Sequence, residues 1–208
     1  MEFSPTRHLP FIFQTDHVAM TLTLTPEVIL ELLRTKGEIA YAGEPINQIE
    51  HAWQCGQLAR NAGVSEALQL ASWLHDIGHL MTDLTGSPTE RGIDDVHELL
   101  GADLLFRLWG APVAEPVRLH VAAKRYLVAT QPAYRESLSA DSERSLVLQG
   151  GPMSAEECLQ FESSEYALAA RQLRSWDDIG KKAGWFAPTA DQALEELAAL
   201  MGRVGRAG

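Results

Sequence analysis

The 208-residue chain predicts an all-α fold, a compact multi-helix bundle. Three observations point there. Apolar residues recur at helical spacing through most of the sequence, and helix-starting and helix-stopping residues fall at the ends of those runs. No segment alternates convincingly as a strand beyond Thr21 to Leu24, and there is no internal repeat. With 46% hydrophobic and 22% charged residues, the chain has a globular composition and the length to bury one core without cross-links.

Residues 1–24, with Pro5 and Pro10, read as an irregular N-terminal arm. Thr25-Pro26 then opens a helix, an N-cap followed by proline at the first helical position. Val28, Ile29, Leu32 and Leu33 carry it to a stop near Gly37. After the turn Tyr41-Ala42-Gly43-Glu44-Pro45, a helix over about 46–62 has Ile46, Ile49, Trp53, Leu58 and Ala62 on its apolar side and Gly63 at its end. Ser65 caps the next helix, over about 66–80. It is apolar nearly all round (Leu68, Leu70, Ala71, Trp73, Leu74, Ile77), which places it mid-bundle. Residues 82–94, with Gly86, Pro88 and Gly92, read as a loop. Asp95 with Glu98 resembles a capping box that opens a helix through about Trp109. Pro112 and Pro116 punctuate, and a helix runs from there to about Val128. Gly150-Gly151-Pro152 is a stop, Ser154 and Glu157 suggest a capped turn, and the last two helices cover 165–182 and 189–204. The core therefore spans 25–188, followed by a C-terminal helix and tail over 189–208.

Lys plus Arg total 17 against 28 Asp plus Glu, a formal charge of -11. That excludes a basic nucleic-acid footprint and makes an anionic membrane surface an equally poor partner. Cys55 and Cys158 have no CxxC neighbour, so they form neither a disulfide framework nor a thiolate zinc site and count as small hydrophobes. The start of the chain lacks the pattern of a signal peptide, and no stretch approaches the ~18 apolar residues of a membrane span, so the expected compartment is the cytoplasm.

Five of the seven histidines, His51, His75, His79, His97 and His120, fall on predicted helices or helix starts; His8 and His17 read as ordinary residues. Asp76 follows His75 inside the most apolar helix. A bare carboxylate buried there costs several kcal/mol, about what a partner cation offsets, and a metal is the economical one. His75 and His79, four apart, share a helix face. His51 lies on the preceding helix, His97 and His120 on the two following, and consecutive helices are usually neighbours. Imidazole with carboxylate suits iron, manganese or zinc. Taken singly, His51, His97 and His120 are ordinary helical histidines; taken together, one per helix, they are candidate ligands. The pair Asp177-Asp178 reads as a solvated face, a cap or a late metal ligand. Arg171, Arg174 and Lys124 stand one turn from these candidates, as an anionic substrate requires, or are surface charges.

His51, His75-Asp76 and the distant Asp177 resemble the pattern of the HD-domain superfamily, and His97 with His120 resembles its two-metal subset. Six blocks narrow the likeness: 41–51 (YAGEPINQIEH), 74–79 (LHDIGH), 96–103 (VHELLGAD), 120–127 (HVAAKRYL), 148–153 (LQGGPM) and 174–178 (RSWDD). Over about residues 30–185 the chain is similar to the HD-domain diiron oxygenases that cleave carbon–phosphorus bonds in 1-hydroxyphosphonates, and distantly to the inositol oxygenases.

The resemblance implies one iron on His51, His75, Asp76 and Asp177, and a second on Asp76, His97 and His120, with Asp76 bridging. It implies an Fe(II)/Fe(III) pair with O2 as co-substrate. His79, Lys124 and Arg174 would surround the phosphonate, with Ser142 and Gln149 as further candidates. Tyr41, held by Glu44, would cap the open iron until substrate arrives, and Glu44 would meet the substrate's ammonium end. The expected substrate is a 1-hydroxy-2-aminoethylphosphonate, its amine free or N-methylated, cleaved to an amino acid and phosphate. The alternative is a metal-dependent HD phosphohydrolase acting on a small phosphate ester or nucleotide, which has no need of the Tyr41–Glu44 lid. A degenerate, non-enzymatic HD domain predicts lost ligands, and all six are present. The arm and tail fall outside the resemblance and are assigned to packing or to a homodimer contact.

Overall fold

The computed structural model describes residues 24–41, 43–82, 84 and 86–205; the arm (apart from Leu24), His8 and His17 lie outside the described residues. Twelve α-helices follow one another there, with no strand: α1 (Pro26–Lys36), α2 (Gln48–Asn61), α3 (Glu66–Leu74), α4 (Ile77–Leu80), α5 (His97–Trp109), α6 (Ala111–Arg118), α7 (His120–Thr130), α8 (Pro132–Glu136), α9 (Ala140–Leu148), α10 (Ala155–Glu162), α11 (Ala167–Ile179) and α12 (Ala190–Val204). The expected all-α class holds.

Local chemistry explains the helix starts. Pro26 occupies the first turn of α1, where its missing N–H costs nothing; the Thr25 side chain makes no capping bond. Capping boxes open α2 (Asn47 with Glu50), α10 (Ser154 with Glu157) and α12 (Thr189 with Gln192). The short helix α3 is the hub, with Leu68, Leu70, Ala71, Ser72, Trp73 and Leu74 all buried. Its Trp73 lies so close to α2 that a Cβ on Gly56 would stand 2.1 Å from the indole nitrogen. The main apolar cluster joins residues of α1 to α6 with Leu173 and Trp176 of α11 and Ala193, Leu194, Leu197, Leu200 and Met201 of α12. The C-terminal helix thus shares the core's packing. Each buried leucine contributes about 1.5–3 kcal/mol. A second cluster, Tyr126, Leu127, Phe161 and Ala170 among it, ties α7 to α10 and α11.

Four expectations are corrected. The helix expected over 66–80 breaks at His75-Asp76: α3 ends at Leu74, and Asp76, at φ -99 and ψ 9, precedes α4. His75 and His79 therefore do not share one continuous helix face. The helix expected to Val128 is two, α6 running through Pro116 and α7 beginning at His120, with Leu119 between them. The helix expected over 165–182 ends at Ile179, before Gly180. Asp95 and Glu98 form no capping box; Val96 holds the N-cap position of α5, without a side-chain cap. At the first, second and fourth of these places a metal-ligand candidate, His75, His120 or His97, stands at the interruption, its Nδ1 bonded two or three residues back and its Nε2 facing that of a histidine distant in the chain.

Candidate metal and substrate site

Twelve polar or charged side chains are buried among the described residues, and nine of them are residues nominated from sequence: His51, His75, Asp76, His97, His120, Lys124, Ser142, Arg174 and Asp177. Burial of charge is costly unless it is paired, so this concentration marks a site and not a packing accident.

The four innermost histidines are held alike, through Nδ1. His51 Nδ1 donates to the Gly180 carbonyl (2.8 Å), His75 Nδ1 to that of Ser72 (3.0 Å), His120 Nδ1 to that of Val117 (2.7 Å), and His97 Nδ1 to Asp95 Oδ1 (2.9 Å). With Nδ1 so committed, each ring turns Nε2 inward, where the neutral form of an imidazole carries its lone pair. His51 Nε2 and His75 Nε2 stand 3.2 Å apart, as do His97 Nε2 and His120 Nε2. Asp76 divides its carboxylate between the pairs. Oδ2 lies 3.5 Å from His51 and 3.4 Å from His75; Oδ1 lies 3.5 Å from His97 and 3.8 Å from His120. Asp177 Oδ1 completes the first set, 3.4 Å from His51 and 3.8 Å from His75.

Lone pairs converging on one another are stable only around a cation. Donor atoms about 2.1 Å from a shared metal stand about 3–4 Å apart, which is the spacing here. Asp177 Oδ1 is buried with no hydrogen-bond partner, the orphaned atom a metal would satisfy. These residues therefore fit a metal. Cys55 Sγ lies 3.7 Å from His51 Nε2 and donates to the Trp176 carbonyl (3.5 Å), and burial pushes its thiol up.

Charge balance follows. Burial alone would raise Asp177, but the Arg174 and Lys181 cations hold it well below the usual carboxylate range. Arg174 donates to Asp177 Oδ2 at 2.5 Å, and Lys181 Nζ lies 3.4 Å from Oδ1. Burial likewise opposes ionisation of Asp76, and the imidazoles of His75, His79 and His97 outweigh it. Burial, reinforced by His97 and His75, pushes His120 well below its ordinary value. Tyr41 donates its hydroxyl to Asp76 Oδ2 (2.8 Å) and stacks on the His51 ring at 4.1 Å.

A cavity of about 360 Å³ opens over this centre. His97, His120, Asp76 and Asp177 line it, while His51 and His75 stand behind its wall. The remaining nominated residues, Tyr41, Glu44, His79, Lys124, Ser142, Gln149 and Arg174, line it as well. Glu44 meets Tyr41 through the backbone, its N–H donating to the Tyr41 carbonyl (3.0 Å). Lys124 donates to Ser145 Oγ (2.6 Å); burial, with the Arg174 charge, pushes it down to about 7. Gln149 Oε1 is buried without a partner. Of the remaining nominated charges, Arg171 instead sits over the Tyr126 ring (5.3 Å), and Asp178 accepts from Tyr134 (2.5 Å) and pairs with Arg174.

No protein-family profile matches the chain. Named relatives align over most of it. It is 38% identical over 162 residues, 78% of this chain and 83% of the relative, to the [1-hydroxy-2-(trimethylamino)ethyl]phosphonate dioxygenase (glycine-betaine-forming) of Leisingera caerulea. It is 36% identical over 170 residues, 81% and 84% of the two chains, to the hydroxymethylphosphonate dioxygenase of Gimesia maris. The chain belongs to the phosphonate dioxygenases. An uncharacterized protein of Acanthamoeba polyphaga mimivirus is also 35% identical over 156 residues, 74% and 71% of the two chains. As a phosphonate dioxygenase this protein is an oxygenase that uses a metal and O2. No described helix is long and apolar enough to cross a membrane.

Sequence reasoning missed three features of this phosphonate dioxygenase site. Lys181, past the end of α11, lines the cavity with its Nζ 5.6 Å from the centre of the Tyr41 ring. Tyr134 donates to Asp178 and accepts from Arg174 Nε (3.0 Å), fixing that guanidinium. Asp95, taken for a cap, accepts from His79 Nδ1 (2.5 Å) as well as from His97. The one signal for Lys181 was its i+4 spacing from Asp177; nothing local pointed to Tyr134 or to the second bond of Asp95.

Proposed function

We propose that this protein cleaves the carbon–phosphorus bond of a 1-hydroxy-2-aminoethylphosphonate-type substrate, its amine free or N-methylated, with O2. The products are an amino acid and phosphate. The observation that carries the reading is the split of Asp76 between two imidazole pairs, beside a cavity walled by Lys124, Arg174 and His79. Two irons in the Fe(II)/Fe(III) state are the proposed cofactor, one on His51, His75, Asp76 and Asp177, the other on Asp76, His97 and His120. When bound, the irons supply Lewis acidity and the electron exchange that O2 chemistry requires.

The chain's own groups do the rest. Lys124, Arg174 and His79 neutralise the phosphonate, and Ser142 and Gln149 donate to its oxygens. Burial would lower His79, but its bond to Asp95 and the charge of Asp76 carry it up to about 9, so it is a cation near neutrality. Tyr41 covers the centre through its bond to Asp76 and gives way to substrate, while Glu44 receives the ammonium end. The balance closes: R–CH(OH)–PO3(2−) and O2 give R–COO−, HPO4(2−) and one proton. The C1–H and C–P bonds break, the substrate carbon is oxidised, and O2 takes up the electrons.

The test is phosphate release from 2-amino-1-hydroxyethylphosphonate and its N-methylated analogues, with and without oxygen. One analogue is expected to turn over only in air. Phosphate release that continues under anaerobic conditions would make the protein a hydrolase instead.

A further inference from the structure

The segment that leads into α5 carries a strained residue. Val96 is the one non-glycine residue among those described with a positive φ, 47 with ψ 34. A β-branched side chain disfavours that conformation, and such an outlier persists only where its surroundings overdetermine it. The residue on each side shows what does so here. Asp95 Oδ1 accepts from His97 Nδ1 at 2.9 Å, and Asp95 Oδ2 from His79 Nδ1 at 2.5 Å. The two rings stack with centroids 3.9 Å apart and planes at 22°. Gly78 permits this approach, since a Cβ there would stand 2.0 Å from the His97 carbonyl oxygen. Glu98 Oε2, at 3.8 Å from His97 Nδ1, is too far to replace Asp95.

We propose that Asp95 is a positioning residue whose single carboxylate aims His97 Nε2 at the metal and holds His79 in place for the phosphonate, tying metal retention to anion binding. The proposal rests on the ligand assignment above. Neither histidine has another acceptor for its Nδ1 within hydrogen-bond distance among the described residues. Without Asp95 both rings are free to rotate or change tautomer.

The experiment uses the metal-loaded full chain with Asp95→Ala, Asp95→Asn, His97→Ala and His79→Ala. It reads metal per chain after a graded chelator challenge, and affinity for methylphosphonate by calorimetry. His97→Ala is expected to lose one metal and keep methylphosphonate binding. His79→Ala is expected to keep both metals and bind methylphosphonate roughly tenfold less well. Asp95→Ala is expected to show both defects, with one metal weakened about 10–100-fold. If Asp95→Ala does not fold, the isosteric Asp95→Asn decides: its amide nitrogen cannot accept from a ring N–H, so at least one defect must appear. Wild-type metal retention or wild-type anion affinity in folded Asp95→Ala, or both in Asp95→Asn, overturns the proposal. A full metal complement in His97→Ala overturns the ligand assignment instead.

Discussion

The two halves of the centre are held by different means. In the inner half, His51 and His75 rest on backbone carbonyls, those of Gly180 and Ser72, and Asp177 is braced by Arg174 and Lys181. In the outer half His120 follows the same plan, through the Val117 carbonyl, but His97 depends on a loop carboxylate and a strained Val96. Carbonyl acceptors come with the helices that the core already packs, whereas a loop carboxylate must be put in place separately. The inner half is thus an extension of the core, its two histidines behind the cavity wall and Asp177 reaching the cavity, whereas both histidines of the outer half line it.

The comparison breaks most severely at Asp76, the residue both halves share. With two metals bound as proposed, Asp76→Ala is expected to lose both and to lower turnover by roughly 10³-fold or more. By contrast, His120→Ala should be as inactive yet retain the inner metal, and His75→Ala should retain the outer one. Elemental analysis of the purified variants distinguishes these cases. Loss of both metals from His120→Ala would mean that the halves are one cooperative unit.

A smaller effect sharpens the account of the inner half. Lys181→Met removes one of two cations from Asp177 but no ligand. Lys181 competes with the metal for Asp177 Oδ1, so the inner metal is expected to tighten by up to about tenfold, with the outer metal unchanged. Competition with a chelator of known affinity measures it, and an unchanged inner site would leave Arg174 as the sole brace.

Lys124 tests the cavity wall through pH. Burial, then the Arg174 charge, lowers it from 10.5 to about 7. Above 10.5 the residue is neutral in both the folded and unfolded chain, and nothing is lost. As pH falls towards 7 the unfolded chain binds the proton first, so stability declines, and the full penalty is present below 7. Lys124→Met should therefore raise Tm more at pH 6 than at pH 9. Anion binding runs the other way, because it needs the charge. Sulfate, whose own charge does not titrate here, should bind progressively more weakly above pH 7, by up to about tenfold per pH unit. In Lys124→Met that step near 7 should be absent from the calorimetric titration.

Much of this was legible in the sequence, for identifiable reasons. The helices of the core follow from apolar periodicity, as Leu68, Leu70 and Leu74 illustrate. Asp76 stood out because a carboxylate beside a histidine in an apolar helix demands a cation. The interruptions did not stand out, because the His75-Asp76 break opposes local propensity and serves to bring this pair beside His51, His97 and Asp177, which are distant in the chain. Asn47, which caps α2, was hidden by the apolar Ile46 just before it. Asp95 was misread because an aspartate at a helix start has an ordinary local explanation, and its actual partner His79 lies 16 residues away.

The smallest predicted effect concerns Val96 itself. Val96 is 41% exposed, so Val96→Gly and Val96→Ala both lose its partly buried γ-methyl groups, and the two variants are compared with each other. Glycine adopts a φ of 47 without steric cost, relieving about 1–2 kcal/mol. It also frees the unfolded chain, at about 0.5–1 kcal/mol. The strain term is the larger, so metal-free Val96→Gly should melt above Val96→Ala, by about 2–4 °C for each kcal/mol of difference. Val96→Ala keeps the Cβ in the same strained conformation. If Val96→Gly melts no higher than Val96→Ala in differential scanning calorimetry, the left-handed turn is not under strain, and the contrast between a core-held inner half and a strain-held outer half rests on Asp95 alone.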